Sequence, residues 1–110
     1  MPDNKYTVFW TQIATSDLES IVAFIAEGNK DAALQVLSEI KKGAFELYNF
    51  PNRGRSLPEL RKFGIKIYRE IIVKVWRVIY RVQDNNVYIL AVFDSRRNIE
   101  DILLNRLLIS

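Results

Sequence analysis

Residues 66–93 are rich in β-branched and aromatic side chains, and the one strong turn signal among them is Asp84-Asn85-Asn86. Such a run has few ways to fold. Strands are predicted near 66–73, 75–82 and 87–93, because Asp and Asn accept the positive φ that a tight hairpin demands. Short connections make the three an antiparallel meander. In the second strand Trp76, Val78, Tyr80 and Val82 share one face, while Arg77, Ile79 and Arg81 share the other. The third is nearly all apolar, which places it inside the sheet.

The first half has a different period. Residues 5–10 alternate and read as a short strand. Ala14, Leu18, Ile21, Val22 and Ile25 then recur at helical spacing. Thr11 and the Ser16-Asp17-Leu18-Glu19 box both qualify as its start, and Thr11 is favoured because Ala14 already belongs to the stripe. Glu27-Gly28-Asn29 ends the helix, with Gly28 expected to take the left-handed conformation. Asn29 or Asp31 caps a second helix with the stripe Ala33, Val36, Leu37, Ile40, Ala44 and Leu47. Gly43 weakens that helix by about 1 kcal/mol relative to alanine, and Pro51 stops it. The short link makes the two an antiparallel hairpin. Residues 49–60 read as a loop, punctuated by Pro51, Gly54 and Pro58. Asn98 caps a last helix containing Ile99, Ile102, Leu103 and Leu107. The expected architecture is α+β in the order β-α-α-β-β-β-α, a helical hairpin packed on a small, mostly antiparallel sheet. At 110 residues the whole chain, 1–110, is read as one domain.

Composition narrows the chemistry. The chain has no cysteine and no histidine. A disulfide framework, a thiol nucleophile and a His-containing triad are therefore excluded, and no metal site or cofactor is expected. No apolar run reaches the ~18 residues of a membrane span, and Met1-Pro2-Asp3-Asn4-Lys5 lacks the apolar core of a secretion signal. The expectation is a cytoplasmic protein with no membrane partner. Charge is unevenly placed: residues 1–52 sum to −3, 53–97 to +7 and 98–110 to −1. That asymmetry suggests an anionic partner, a nucleic acid or an acidic protein surface.

The candidate anion-binding residues are Arg53 and Arg55 in the loop, Arg69, Arg77 and Arg81 on the strands, and Arg96 and Arg97 after the last strand, and they are expected to converge on one exposed sheet surface. Guanidinium groups fork onto phosphates and carboxylates alike. The competing expectation is internal pairing with Glu59, Glu70, Asp94 and Glu100. Trp76, Tyr80 and Phe93 are assigned to the core, whereas Tyr68 and Tyr88 stay open. Tyr48, Phe50 and Phe63 are expected to anchor the loop. The last helix is apolar on more than one stripe, so Leu104 and Leu108 are candidates for a protein interface.

Together these motifs resemble the RelE/ParE superfamily of toxins from type II toxin–antitoxin modules, the plasmid stabilisation type. The resemblance covers nearly the whole chain. It rests on Trp10-Thr11, Ala14 and Asp17-Leu18; on Phe50-Pro51-Asn52-Arg53-Gly54-Arg55 and Leu57-Pro58-Glu59-Leu60; on Tyr68-Arg69-Glu70; on the run from Trp76 to Val82; on the run from Val87 to Val92; and on Arg96-Arg97. It implies a cognate antitoxin as partner in a hetero-oligomer, the antitoxin folding an amphipathic, acidic segment onto the toxin. RelE-like members cleave messenger RNA on the ribosome without metal. In that branch Arg77 and Arg96 (or Arg97) match phosphate-contacting arginines, and Arg69 lies near the lysines, so Arg69, Arg77 and Arg96 are the catalytic candidates. Where RelE carries its catalytic tyrosine this chain has Ile102 or a neighbour. ParE-like members instead poison DNA gyrase. The Tyr68-Arg69-Glu70 and Asn52-Arg53-Gly54-Arg55 runs look closer to ParE, which favours binding over catalysis. The alternatives are an mRNA interferase, and a degenerate member without toxicity.

Overall fold

Thr11 turns the chain from strand to helix. In the computed structural model, which describes residues 5–109 apart from the side chains of 108 and 109, its hydroxyl accepts the Ala14 N–H at 3.2 Å and donates to the Ile89 carbonyl at 2.8 Å. It thus caps the first helix and ties it to the sheet. Strand β1 (Thr7–Trp10) precedes it, and helix α1 (Gln12–Ala26) follows. Asn29 caps α2 (Lys30–Phe45), its Oδ1 accepting the Ala32 N–H at 3.0 Å. Gly28 does not take the expected positive φ. The link closes instead by bonds from the Gly28 and Asn29 N–H groups to the Ile25 carbonyl.

A 3-10 turn, Glu46–Tyr48, extends α2. The segment expected to be a plain loop holds two short elements, β2 (Arg55–Ser56) and α3 (Pro58–Arg61). The meander then runs through β3 (Tyr68–Val73), β4 (Trp76–Gln83) and β5 (Asn86–Asp94). Asp84 takes φ 57° in the hairpin turn, as its residue type suggested. The chain ends in α4 (Glu100–Leu103), which continues as wider π-type turns over Leu104–Ile109. Ile99 occupies the cap position, one residue later than expected, although Asn98 Oδ1 still accepts the Glu100 N–H at 3.3 Å.

The sheet order is β1-β5-β4-β3-β2, with β1 parallel to β5 and the other pairs antiparallel. Between Ile79 and Tyr80 the β4–β5 register shifts: Ile79 pairs with Ala91 but Tyr80 pairs with Ile89. Leu90 is therefore an extra residue, a bulge that reverses the alternation of β5. Val87, Ile89 and Val92 consequently face the helical hairpin, and Ala91 and Phe93 face away. Beyond the end of β1, the Asp17 carboxylate accepts the Val92 N–H at 3.1 Å, taking the place of a neighbouring strand.

Both faces of the sheet carry a packed layer, the second over only part of its width, since Phe9 of β1 stays 44% exposed. On one, Ala14, Leu18, Ile40, Ala44 and Leu47 pack on Ile71, Val78, Tyr80 and Ile89. Gly43 lets α2 approach the sheet, since a Cβ there would lie 2.7 Å from the Val73 side chain. On the other, Leu57, Leu60, Ile99 and Leu103 cover Tyr68, Ile79, Ala91 and Phe93. This corrects the expectation that the face carrying Arg77 and Ile79 is open. No helix among the described residues is long and apolar enough to cross a membrane.

The loop anchor also differs from expectation. Phe50 and Phe63 are 64% and 54% exposed, and Tyr48 stacks on Phe45. Tyr80 holds the loop instead: its hydroxyl donates to the Pro51 carbonyl and accepts the Gly54 N–H, both at 2.8 Å. Gly54 is required by this approach, because a Cβ there would meet the Glu70 carbonyl at 2.5 Å. Burial raises the proton affinity of the Tyr80 phenol, so it stays neutral and able to donate. Tyr80→Phe keeps the ring but leaves a buried donor and a buried acceptor unpaired. The variant is expected to lose about 1–3 kcal/mol in urea unfolding with an unchanged slope, and no measurable loss would show that the hydroxyl does not hold the loop.

Candidate functional site

The candidate arginines do not form one open cluster. Arg77 is 6% exposed and Glu70 1%. The Arg77 guanidinium grips both Glu59 oxygens, Nη1 at 2.7 Å and Nη2 at 2.8 Å, while its Nε donates to Glu70 Oε1 at 2.6 Å. Arg55 Nε takes the other Glu70 oxygen at 2.7 Å. All the hydrogen-bonding directions used here point inward, so the competing expectation of carboxylate pairing describes Arg77. Its pairing with Glu59 raises its proton affinity, and the same bond holds Glu59 below the ordinary glutamate range.

Arg69 is on the other side of the sheet. It pairs with Tyr80 across β3 and β4, so it shares the Tyr80 face rather than that of Arg77. Its Nη1 donates to the Gly54 carbonyl at 2.7 Å, bracing the loop that Tyr80 holds. Glu70, its neighbour, points the opposite way and ignores it. Arg96 forks onto Asp94 at 2.8 and 2.6 Å, which pulls the Asp94 carboxyl down to about 2. Arg53 pairs with Glu46 at 2.5 Å. Arg53 and Arg55 do come together, lining one shallow depression with Glu70 and Ile72. Arg81 and Arg97 make no ion pair among the described residues. Nor do three carboxylates gather there as a cation site requires.

Leu104 is half-buried against the second core with Ile102 and Leu107. The side chain of Leu108, the other interface candidate, lies outside the described residues. The wide turns bring Leu104 and Leu107 to the core beside Leu103, which accounts for the second apolar stripe read in the sequence. Two bonds tether this segment. Arg106 forks onto Asp17 at 2.7 and 3.0 Å and lies 4.9 Å from the Phe93 ring centre. Tyr68 donates its hydroxyl to the Leu107 carbonyl at 3.2 Å.

Sequence reasoning missed a groove on the outside of the helical hairpin. Leu18, Val22, Ala23 and Leu37 line it, with Glu19 and Lys41 at its edges, and its volume is about 360 Å³. Leu18, Val22 and Leu37 were read in the sequence as core stripe residues, and nothing local marks that the packed helices leave a groove between them. A groove of this form accepts the apolar face of a partner helix.

Two outcomes follow from the buried charges. Arg77→Ala removes the buried partner of Glu70, leaving it only the exposed Arg55, and is expected to cost about 3–5 kcal/mol. Unchanged unfolding of that variant would place the arginine outside the folding core. Glu59 binds its proton more weakly in the folded than in the unfolded chain. Its contribution is therefore complete above the ordinary value of 4.5 and is lost as the pH falls through the depressed folded value. Glu59→Gln is expected to flatten the acid limb of a stability-against-pH curve, which urea unfolding at several pH values will read.

Comparison with known proteins agrees with this architecture. The family described as "ParE toxin of type II toxin-antitoxin system, parDE" matches residues 8–99. Toxin ParE3 of Caulobacter vibrioides is 33% identical over 94 residues, which is 84% of this chain and 89% of that protein. The chromosomal ParDE system from P. aeruginosa superposes with a TM-score of 0.67 at 19% identity, over 83% of this chain and 97% of that one. The RelBE2 toxin–antitoxin complex from Mycobacterium tuberculosis superposes at 0.61 and 26% identity, over 82% and 91%. The chain, with its helical hairpin on a five-stranded sheet and a family match over most of its length, belongs to the ParE toxins of type II toxin–antitoxin systems.

Proposed function

We propose that this toxin acts by binding a host target, DNA gyrase, and not by cutting RNA, and that a cognate antitoxin neutralises it through the groove on the helical hairpin. The observation that carries the choice is the commitment of Arg77. Ribonuclease chemistry of the RelE kind needs cations aimed at a phosphate whose charge grows in the transition state. Here Arg77 is enclosed by Glu59 and Glu70, and Arg96 is forked onto Asp94. The shifted proton affinities do not favour proton transfer either: among the described residues Glu59 and Asp94 move down and Arg77, Tyr80 and Arg96 move up, each away from neutrality. Ile102 and its neighbours Leu103 and Leu104, one of which stands where the RelE resemblance asks for a tyrosine, pack on the second core.

The antitoxin reading follows from the groove's shape and lining. An amphipathic helix can bury its apolar side against Leu18, Val22 and Leu37 while an acidic residue meets Lys41 at the rim. The two solved structures compared above are toxin–antitoxin systems.

Purified chain is expected to inhibit gyrase supercoiling and to leave ribosome-bound message intact, and cleaved message would overturn the binding mechanism. The product of the adjoining reading frame is expected to relieve the inhibition. Ala23→Glu, which sets a charge in the groove without touching the core, is expected to weaken that antitoxin by about tenfold or more in calorimetry. Wild-type affinity in this variant would move the antitoxin to another surface.

A further inference from the structure

We propose that the uncovered end of the second sheet face binds single-stranded nucleic acid by stacking its bases. Three strands contribute pairs of residues to this patch. Register and alternation place Thr7 and Phe9 of β1, Asn86 and Tyr88 of β5, and Gln83 and Arg81 of β4 side by side on one face. Phe9 and Tyr88 stack with ring centres 5.5 Å apart and planes 18° apart, yet Phe9 remains 44% exposed. Asn86 Nδ2 donates to the Tyr88 hydroxyl at 3.2 Å and fixes that ring. Across β4, Arg81 is half-exposed and free of any ion pair among the described residues.

The residue types identify the occupant. Aromatic faces stack on bases, a guanidinium meets phosphate or a base plane, and the Gln and Asn amides match base edges. No carboxylate stands among the six strand positions; the nearest in sequence, Asp84, belongs to the turn. The segment supplying Arg81 and Tyr88 carries the +7 excess that favours a polyanion. A sheet face offers rows of groups instead of an enclosure, which suits a strand laid across it better than a free nucleotide. A duplex hides its base faces and cannot stack there. The patch involves neither the hairpin groove nor Arg77 and Arg96, so this binding stands apart from antitoxin capture and from gyrase inhibition.

The test is fluorescence anisotropy of the full-length chain with labelled oligothymidylate, oligouridylate and a matched DNA duplex, each about ten nucleotides long. Saturable, salt-sensitive binding of either single strand, tighter than of the duplex, is expected. Phe9→Leu and Arg81→Gln, each preserving bulk, are expected to weaken it about tenfold. Asn86→Asp, which adds a negative charge without altering shape, is expected to do the same and serves if Phe9→Leu folds poorly. Lys30→Gln, on the helical layer, removes equal charge and is expected to change little. No binding, equal binding of duplex, unchanged binding by Arg81→Gln and Asn86→Asp, or an equal loss in Lys30→Gln would each overturn the proposal.

Discussion

The buried guanidinium of Arg77 is the joint on which the sheet's second face depends. It connects β4 to β3 through Glu70 and to α3 through Glu59, while Arg55 brings β2 to the same carboxylate. Desolvating such charges costs several kcal/mol per ion, so the arrangement persists only where every oxygen and N–H is met. That condition holds: among the described residues no buried side-chain nitrogen or oxygen lacks a partner. The network is thus better read as specifying where α3 sits than as a large net gain in stability. An apolar substitute could fill the volume, but it would not hold a four-residue helix at one register. Arg77 therefore does for this face what the apolar stripe of α2 does for the other.

Much of this fold is legible locally. Thr11, Asn29 and Asp84 act as their residue types dictate, because caps and turns involve neighbours in sequence. The helical stripes and the inner position of β5 follow from period and composition. What escapes is non-local. The gap between the predicted strands at Lys74 is one residue, whereas the real turn is two, Val73 pairing with Trp76. That single-residue difference reverses which β3 side chains face which β4 side chains. Arg69 consequently lies opposite Tyr80, not on the face of Arg77, and the convergence of arginines expected from the sequence dissolves. The Leu90 bulge is hidden for the same reason: a run of apolar residues carries no mark of where its alternation reverses.

The polar anchors were equally out of local reach. Tyr80 reads as core, and it is core, but its hydroxyl also closes a loop 26 residues away. Asp17 reads as part of a possible cap, yet it serves β5 and Arg106, the latter 89 residues distant. Both cases share a cause. A backbone group left without a ladder partner, at Val92 or at Gly54, must find one, and the fold supplies whichever polar side chain the packing brings within range. Such residues are conspicuous only once the accounting of backbone donors can be done in three dimensions.

The paired arginines also separate two effects that charge counting merges. An ion pair closes a guanidinium to a new ligand, because its donors are already aimed at a carboxylate. It does not change the total charge of the molecule or the field far from it. Buried Arg77 can therefore add to the field that draws an anionic partner while its own donors stay committed, whereas the exposed Arg96–Asp94 pair can be exchanged at little cost. The guanidinium groups still open to a new ligand are those that packing leaves accessible, half-buried Arg81 and exposed Arg97, and some surfaces need no charge at all. The hairpin groove is of the latter kind, since its floor is Leu18, Val22 and Leu37 and its charged residues stand at the margin. A chain built this way can place long-range attraction and short-range recognition on different residues, so that partners sharing a charge would be sorted by the shape of the surface they finally meet.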